Sequence, residues 1–172
     1  MRPDKLLLVP GCGRKWEKIG SGGERGMITG EFRNALDEKG RLMIPARIRA
    51  EISGSLLILT RGIDRCLWLF PPEEWKRIAA NLLSNTSPFN SRARLIQRKL
   101  IAPAQEVEID RTGRITIPVT LREYAGLTKE SIILGIEKYI EIWDEAEYQQ
   151  YLTANESEFQ EAAEELGGLV SF

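Results

Sequence analysis

Apolar and polar residues alternate with period two from Ile28 to Leu36, and the alternation resumes at Leu42 and Ile44. It returns at Val107 and Ile109 and again at Ile115 and Ile117, so each pair of short strands flanks a turn of three residues ending in Gly. Leu56 to Thr60 and Cys66 to Phe70 are nearly continuous apolar runs, which predict strands buried on both faces, and Ile132 to Leu134 and Tyr139 to Trp143 are the corresponding paired strands of the second half. Helical spacing begins behind Pro45, over Ala46 to Ile52, and behind Pro71-Pro72-Glu73-Glu74, where Trp75, Ile78, Ala79 and Leu82 form a buried stripe. Ser84 to Asn90 breaks the pattern. A further helix, Ser91 to Leu100, carries Arg92, Arg94, Arg98 and Lys99 with Leu95 and Ile96 inward, and its cations are either a nucleic-acid contact or a solvated face. Pro118 opens a helix that Gly126 closes, and Asp144 caps a last one whose apolar side is Tyr148, Tyr151, Leu152 and Phe159. Gly167-Gly168 predicts a frayed end.

The pattern is written twice. Asp37-Glu38-Lys39-Gly40-Arg41 returns as Asp110-Arg111-Thr112-Gly113-Arg114, and at the same spacing of 73 residues Leu42 to Pro45 is echoed by Ile115 to Pro118 and Arg49 by Arg122. Further on, Gly62-Ile63-Asp64-Arg65 matches Gly135-Ile136-Glu137-Lys138 without a slip of register. Gly in the left-handed position closes each turn, and the Asp before it faces the Arg after it. An ordinary surface ion pair of this kind contributes about 0.2–1 kcal/mol. Duplication of Asp, Gly and Arg favours a shared job, with Asp37, Gly40, Asp110 and Gly113 shaping the turns and Lys39 and Arg111 projecting from the tips.

These two Asp-x-x-Gly-Arg elements, each running into an apolar-x-Ile-Pro strand end, resemble the paired signature of the MraZ family, bacterial proteins of two AbrB-like repeats. The resemblance covers Met27 to about Leu152 and includes Gly30-Glu31-Phe32, Thr60-Arg61-Gly62, Glu73-Glu74-Trp75 and Leu121 to Leu127. It implies an α+β, mainly β fold: two tandem swapped-hairpin β-barrel repeats with short flanking helices and a C-terminal helix. It also implies a cytoplasmic, nucleoid-associated repressor of its own division and cell-wall operon, binding repeated promoter boxes on double-stranded DNA as a ring-like homo-oligomer. On this reading the DNA contacts are Lys39, Arg41, Arg111 and Arg114, with Arg33, Arg47 and Arg49 adding backbone contacts. Arg41 and Arg114 are shared with their Asp partners. The rival reading is an AbrB-type antitoxin or protein-interaction module working through the acidic C-terminal helix. The strand Leu67-Trp68-Leu69-Phe70 and the amphipathic ends of the repeats are the expected subunit contacts.

Charge adds one qualification. The net charge is -1, but residues 27–99 hold 13 Lys and Arg against 7 acids, and residues 100–172 hold 5 against 15. With no His, the usual general base and most zinc schemes are absent, and no apolar run reaches the roughly 18 residues of a membrane span. The adjacent acids Glu73-Glu74 and Glu164-Glu165 lack a companion base, and Asp37 and Asp110, each beside an Arg, should stay ionised. No enzyme, metal, cofactor, small-molecule substrate or membrane partner is expected. Cys12 and Cys66 read as reduced thiols. The expected organisation is an extension over 1–26, either a flexible arm or an upstream misreading of a start at Met27, then repeats over 27–100 and 101–152 and an acidic end over 153–172.

Overall fold

The predicted strands form, but they do not close on themselves as two separate hairpins. A computed structural model describes residues 27–84, 87 and 89–167. The expected arm over 1–26, with Cys12, and the end from Gly168 onward lie outside the described residues. The first repeat gives β1 (Ile28–Ala35), β2 (Arg41–Met43), α1 (Ala46–Glu51), β3 (Leu56–Arg61), β4 (Leu67–Phe70) and α2 (Pro72–Ser84). Next comes α3 (Ser91–Ile96), continued by a π-helical turn over Gln97–Ile101. The second repeat gives β5 (Gln105–Glu108), β6 (Arg114–Thr116), α4 (Val119–Ala125), β7 (Glu130–Glu137), β8 (Tyr139–Asp144) and α5 (Glu145–Ala154), followed by α6 (Glu156–Gly167).

The repeats exchange strands. β1 pairs with β7 of the other repeat, and β5 pairs with β3, so that one antiparallel sheet runs β1-β7-β8-β4-β3-β5. β2 meets its own β1 only at the Leu36–Leu42 bridge and then pairs with β6. Leu42 faces Ile115 and Trp68 faces Glu141, each pair one repeat apart, so a local two-fold axis passes through both. This is the α+β, swapped-hairpin arrangement the resemblance implied, with the helices outside a β core.

Exchange follows from hydrophobic burial. Leu42, Ile44, Leu57, Leu59, Ile115 and Ile117 form one cluster with contributions from both repeats and are at most 1% exposed. Burying each such side chain contributes about 1.5–3 kcal/mol, and a lone hairpin pair has nothing to bury them against. Neither repeat has a core of its own. The other face of the sheet carries a second cluster of Cys66, Ile132, Leu134 and Trp143, covered by Tyr148 of α5. Burial there pushes the Cys66 thiol well above its usual range, which leaves it inert rather than reactive.

Five details depart from expectation. First, the spacing of 73 slips once. Val107 pairs with Leu57, but its counterpart Asn34 pairs with Ser131, one residue beyond the position that the repeat spacing dictates. The slip is repaid in the next turn, because the β3–β4 ladder closes at Arg61–Leu67 and the β7–β8 ladder at Ile136–Tyr139, with Glu137 taking φ +54°. Second, Leu95 and Ile96 point outward, at 54% and 42% exposure, while Ala93 and Leu100 face the body. Ala93, Gln97, Leu100 and Ile101 share one ordinary helix face and take the inward side, so Leu95, two residues beyond Ala93, points away. Third, the α2 stripe of Trp75, Ile78, Ala79 and Leu82 is only half-buried. Fourth, the last helix breaks at Asn155, and Tyr151, Leu152 and Phe159 are exposed rather than packed. Fifth, the strand Leu67–Phe70 is no outer surface. Both its edges are paired, and Leu67, Leu69 and Phe70 are buried.

Candidate nucleic-acid interface

The strand exchange decides where the two turns go. Because β2 and β6 lie antiparallel across the local axis, each turn sits at one end of a three-residue ladder, and the other repeat ties it down. Ile44 donates its backbone N–H to Gly113 O at 2.9 Å, and Ile117 donates to Gly40 O at 2.9 Å. Both turns therefore rise from one ridge. Across it Arg114 Nη1 lies 3.9 Å from Asp37 Oδ2.

Within the first turn Asp37 Oδ1 accepts the backbone N–H of Lys39 and of Arg41, both at 2.9 Å, and Oδ2 accepts Arg41 Nε at 2.7 Å. In the second, Asp110 Oδ1 accepts the Thr112 hydroxyl at 2.6 Å and the backbone N–H of Thr112 and Arg114 at 2.8 and 3.0 Å. Arg114 Nε is 3.4 Å from Asp110 Oδ2. An Asp that receives backbone donors two and four residues on holds its own turn closed. The same donors hold both carboxyls below the usual range: for Asp37 chiefly the Arg41 backbone N–H, for Asp110 chiefly the Thr112 hydroxyl. Both stay ionised at neutral pH.

Gly40 and Gly113 adopt φ of +74° and +83°, and the space beside each is filled by an arginine of the other repeat. A Cβ on Gly40 would lie 2.7 Å from Cζ of Arg122, and one on Gly113 would lie 2.7 Å from Cζ of Arg49. Arg49 Nε donates to Ile44 O at 3.0 Å, whereas Arg122 Nε is buried without a partner among the described residues. The guanidinium of one repeat thus braces the turn of the other. Arg122 echoes Arg49 at the repeat spacing, and that spacing is the one sequence signal that marks it as part of the site.

The remaining candidates divide. Lys39 and Arg111 are exposed at the tips, Arg41 and Arg114 half-buried behind them with about a third of each side chain open (30% and 29%). The tips are not equivalent, since Arg111 occupies the place of Glu38 and Thr112 that of Lys39. Arg47 is exposed on α1, two residues before Arg49 and so on a different side of that helix. Arg33 is not brought to the ridge. It is paired with Glu145 at the start of α5 at 3.1 Å, on the face turned toward the helices. No group of three or more His, Cys, Asp or Glu among the described residues could hold a metal ion, and no described helix is long and apolar enough to cross a membrane.

Comparison with known proteins also finds two repeats in the chain. A family model described as "MraZ protein, putative antitoxin-like" matches residues 27–99 and again residues 100–168. A protein named Transcriptional regulator MraZ from Treponema denticola is 52% identical over 140 residues, covering 81% of this chain and 97% of that one. Its namesake from Treponema pallidum subsp. pallidum is 47% identical over 146 residues, covering 85% and 98%.

Proposed function

The chain belongs to the MraZ family, and from that premise we propose that it is a transcriptional regulator that grips double-stranded DNA with the ridge formed by its two turns. The observation that carries this reading is the 3.9 Å approach of Arg114 to Asp37, which joins the bases of the two turns on one support. A two-stranded ribbon enters a major groove about 12 Å wide, where Arg reads guanine edges bidentately and Lys meets phosphates. Lys39 and Arg111 supply direct contacts. Arg41 and Arg114, already held by Asp37 and Asp110, present their remaining donors from fixed positions, and Arg49 and Arg122 keep the turns in shape. Arg47 adds a backbone contact beside the ridge, while Arg33 contributes only by leaving Glu145.

One chain offers few contacts, so useful affinity comes from several copies engaging repeated promoter boxes together. A homo-oligomer, a ring in the simplest closed case, that represses its own division and cell-wall operon at the nucleoid fits both the resemblance and this arithmetic. The test is a mobility-shift assay on the DNA upstream of the gene. Replacing Lys39 and Arg111 by Ala should weaken binding about tenfold or more, the equivalent of roughly 1.5 kcal/mol for one charged hydrogen bond. Unchanged affinity in that double variant refutes the ridge as the contact surface. The second reading, an antitoxin-like module that binds a protein partner, is favoured by the exposed acidic α6. It predicts that truncation after Ala154 leaves DNA binding intact and abolishes partner capture.

A further inference from the structure

Two helices on the side of the sheet away from the turns carry opposite charge, and each leaves apolar side chains uncovered. α3 lies there because Thr60, which alternates with core-facing Leu57 and Leu59, donates its hydroxyl to Leu100 O at 2.6 Å. The segment Ser91–Ile101 contains no acid. Its Leu95, 54% exposed, has Arg92, Arg98 and Lys99 three or four positions away, which makes an apolar knob in a ring of cations. α6 is the complement, with five Glu and no base. Leu152, Phe159 and Leu166 recur every seven residues, 42%, 69% and 58% exposed, as one stripe continued across the break at Asn155. At helical spacing Glu156 flanks that stripe on one side and Glu158 and Glu165 on the other.

These faces do not cover each other within the chain, since Leu95, Phe159 and Leu166 are exposed. The α3 segment packs under β3, α5 and with it α6 hang from β7 and β8, and β4 lies between. Nor can like faces pair between copies. Two α6 helices would set five carboxylates against five, and two α3 helices would oppose their cations. Only α6 of one copy against α3 of another matches both apolar stripe and charge.

We infer that α6 of each copy docks on the α3 segment of the next, with Phe159 and Leu152 covering Leu95 and Ile96, and Glu156, Glu158 and Glu165 facing Arg92, Arg98 and Lys99. Such a contact is head-to-tail: each copy uses both faces once, so successive copies close a ring or run on as a filament. The inference rests on the proposal that copies assemble, and it leaves the DNA ridge free because α3 and α5, from which α6 continues, lie on the opposite face of the sheet.

The experiment is the solution mass of the full chain by light scattering, with circular dichroism to verify the fold. One set of changes is Arg92→Glu, Arg98→Glu and Lys99→Glu; the other is Glu156→Lys, Glu158→Lys and Glu165→Lys. Either set alone should reduce the assembly to the mass of single chains. The two sets together in one chain, or an equimolar mixture of the two variants, should restore it. High salt should loosen the wild-type assembly, since these ion pairs are solvent-facing. A wild-type chain that is already monomeric overturns this pairing along with the assembly reading. An oligomer that keeps its mass in either variant overturns the pairing alone. So does an α3 variant of unchanged mass that loses DNA affinity, because α3 is then a nucleic-acid contact.

Discussion

Replacing Gly40 by Ala tests the brace and the strand exchange together. The backbone there has φ +74°, so any side chain incurs a left-handed penalty of about 1–2 kcal/mol. For a chain of this size that lowers Tm by about 2–8 °C. Gly54 supplies the control. It has φ +82° with nothing within 4 Å of its Cβ position, so Gly54→Ala measures the backbone cost alone. Gly40→Ala should cost more, because its Cβ would stand 2.7 Å from Cζ and 3.0 Å from Nε of Arg122 and displace the guanidinium. Removing that guanidinium first should relieve the crowding. The double variant Gly40→Ala with Arg122→Ala should therefore be more stable than the two single losses predict, by a coupling of at least about 0.5 kcal/mol. Gly40→Ala with Arg49→Ala, an arginine of the same repeat, should be additive. The mirrored expectation is coupling of Gly113 to Arg49 and not to Arg122. Urea titrations of the single and double variants measure all of this. Coupling of Gly40 to Arg49, or strict additivity with Arg122, would refute the exchanged arrangement.

Other consequences follow from the same geometry. Asp37 and Asp110 are held below their ordinary value of 3.8, so each contributes stability that is present above that pH and lost as pH falls through the lower folded value. Asp37→Asn and Asp110→Asn should thus destabilise at pH 7 and pH 5, with the difference from wild type shrinking below pH 3.8; urea midpoints at several pH values check it. Leu42 and Ile115, both 0% exposed and facing each other on the local axis, should each cost about 2–5 kcal/mol as Ala, seen as a lower urea midpoint. Thr60→Val strands the Leu100 carbonyl and should cost about 1–3 kcal/mol, with faster amide exchange in α3.

Much of this fold can be read from spacing, and the exceptions have physical causes. The turns were legible because Asp, Gly and Arg each have one role there: an acceptor for backbone N–H groups, a positive φ, and a partner for the carboxylate. Pro45, Pro118, Gly126 and Asp144 marked helix ends for equally local reasons. The one-residue displacement of β7 was hidden because Gly62 and Gly135 align in sequence, while the compensating change lies in a turn with no Gly at its positive φ. Sequence named Arg49 and Arg122 as equivalents but held no information on which turn each would meet, since that depends on exchange. Leu95 and Ile96 lie outside because the helix turns Ala93 and Leu100, seven residues apart, to the body, and apolar spacing does not show which of two overlapping faces is covered. The apolar side of the last helix was legible, but amphipathic spacing looks alike whether its cover is the same chain or another.

The most direct measurement of the central claim is the salt dependence of binding to the gene's upstream DNA. Each phosphate contact contributes about 0.9 to the slope of log affinity against log salt concentration. The account predicts that Lys39→Ala, which removes a phosphate contact, lowers that slope by about 0.9 per site engaged, whereas Arg111→Ala, which removes a base contact, weakens binding at a nearly unchanged slope. A slope that matches wild type in Lys39→Ala, with binding intact, would contradict it.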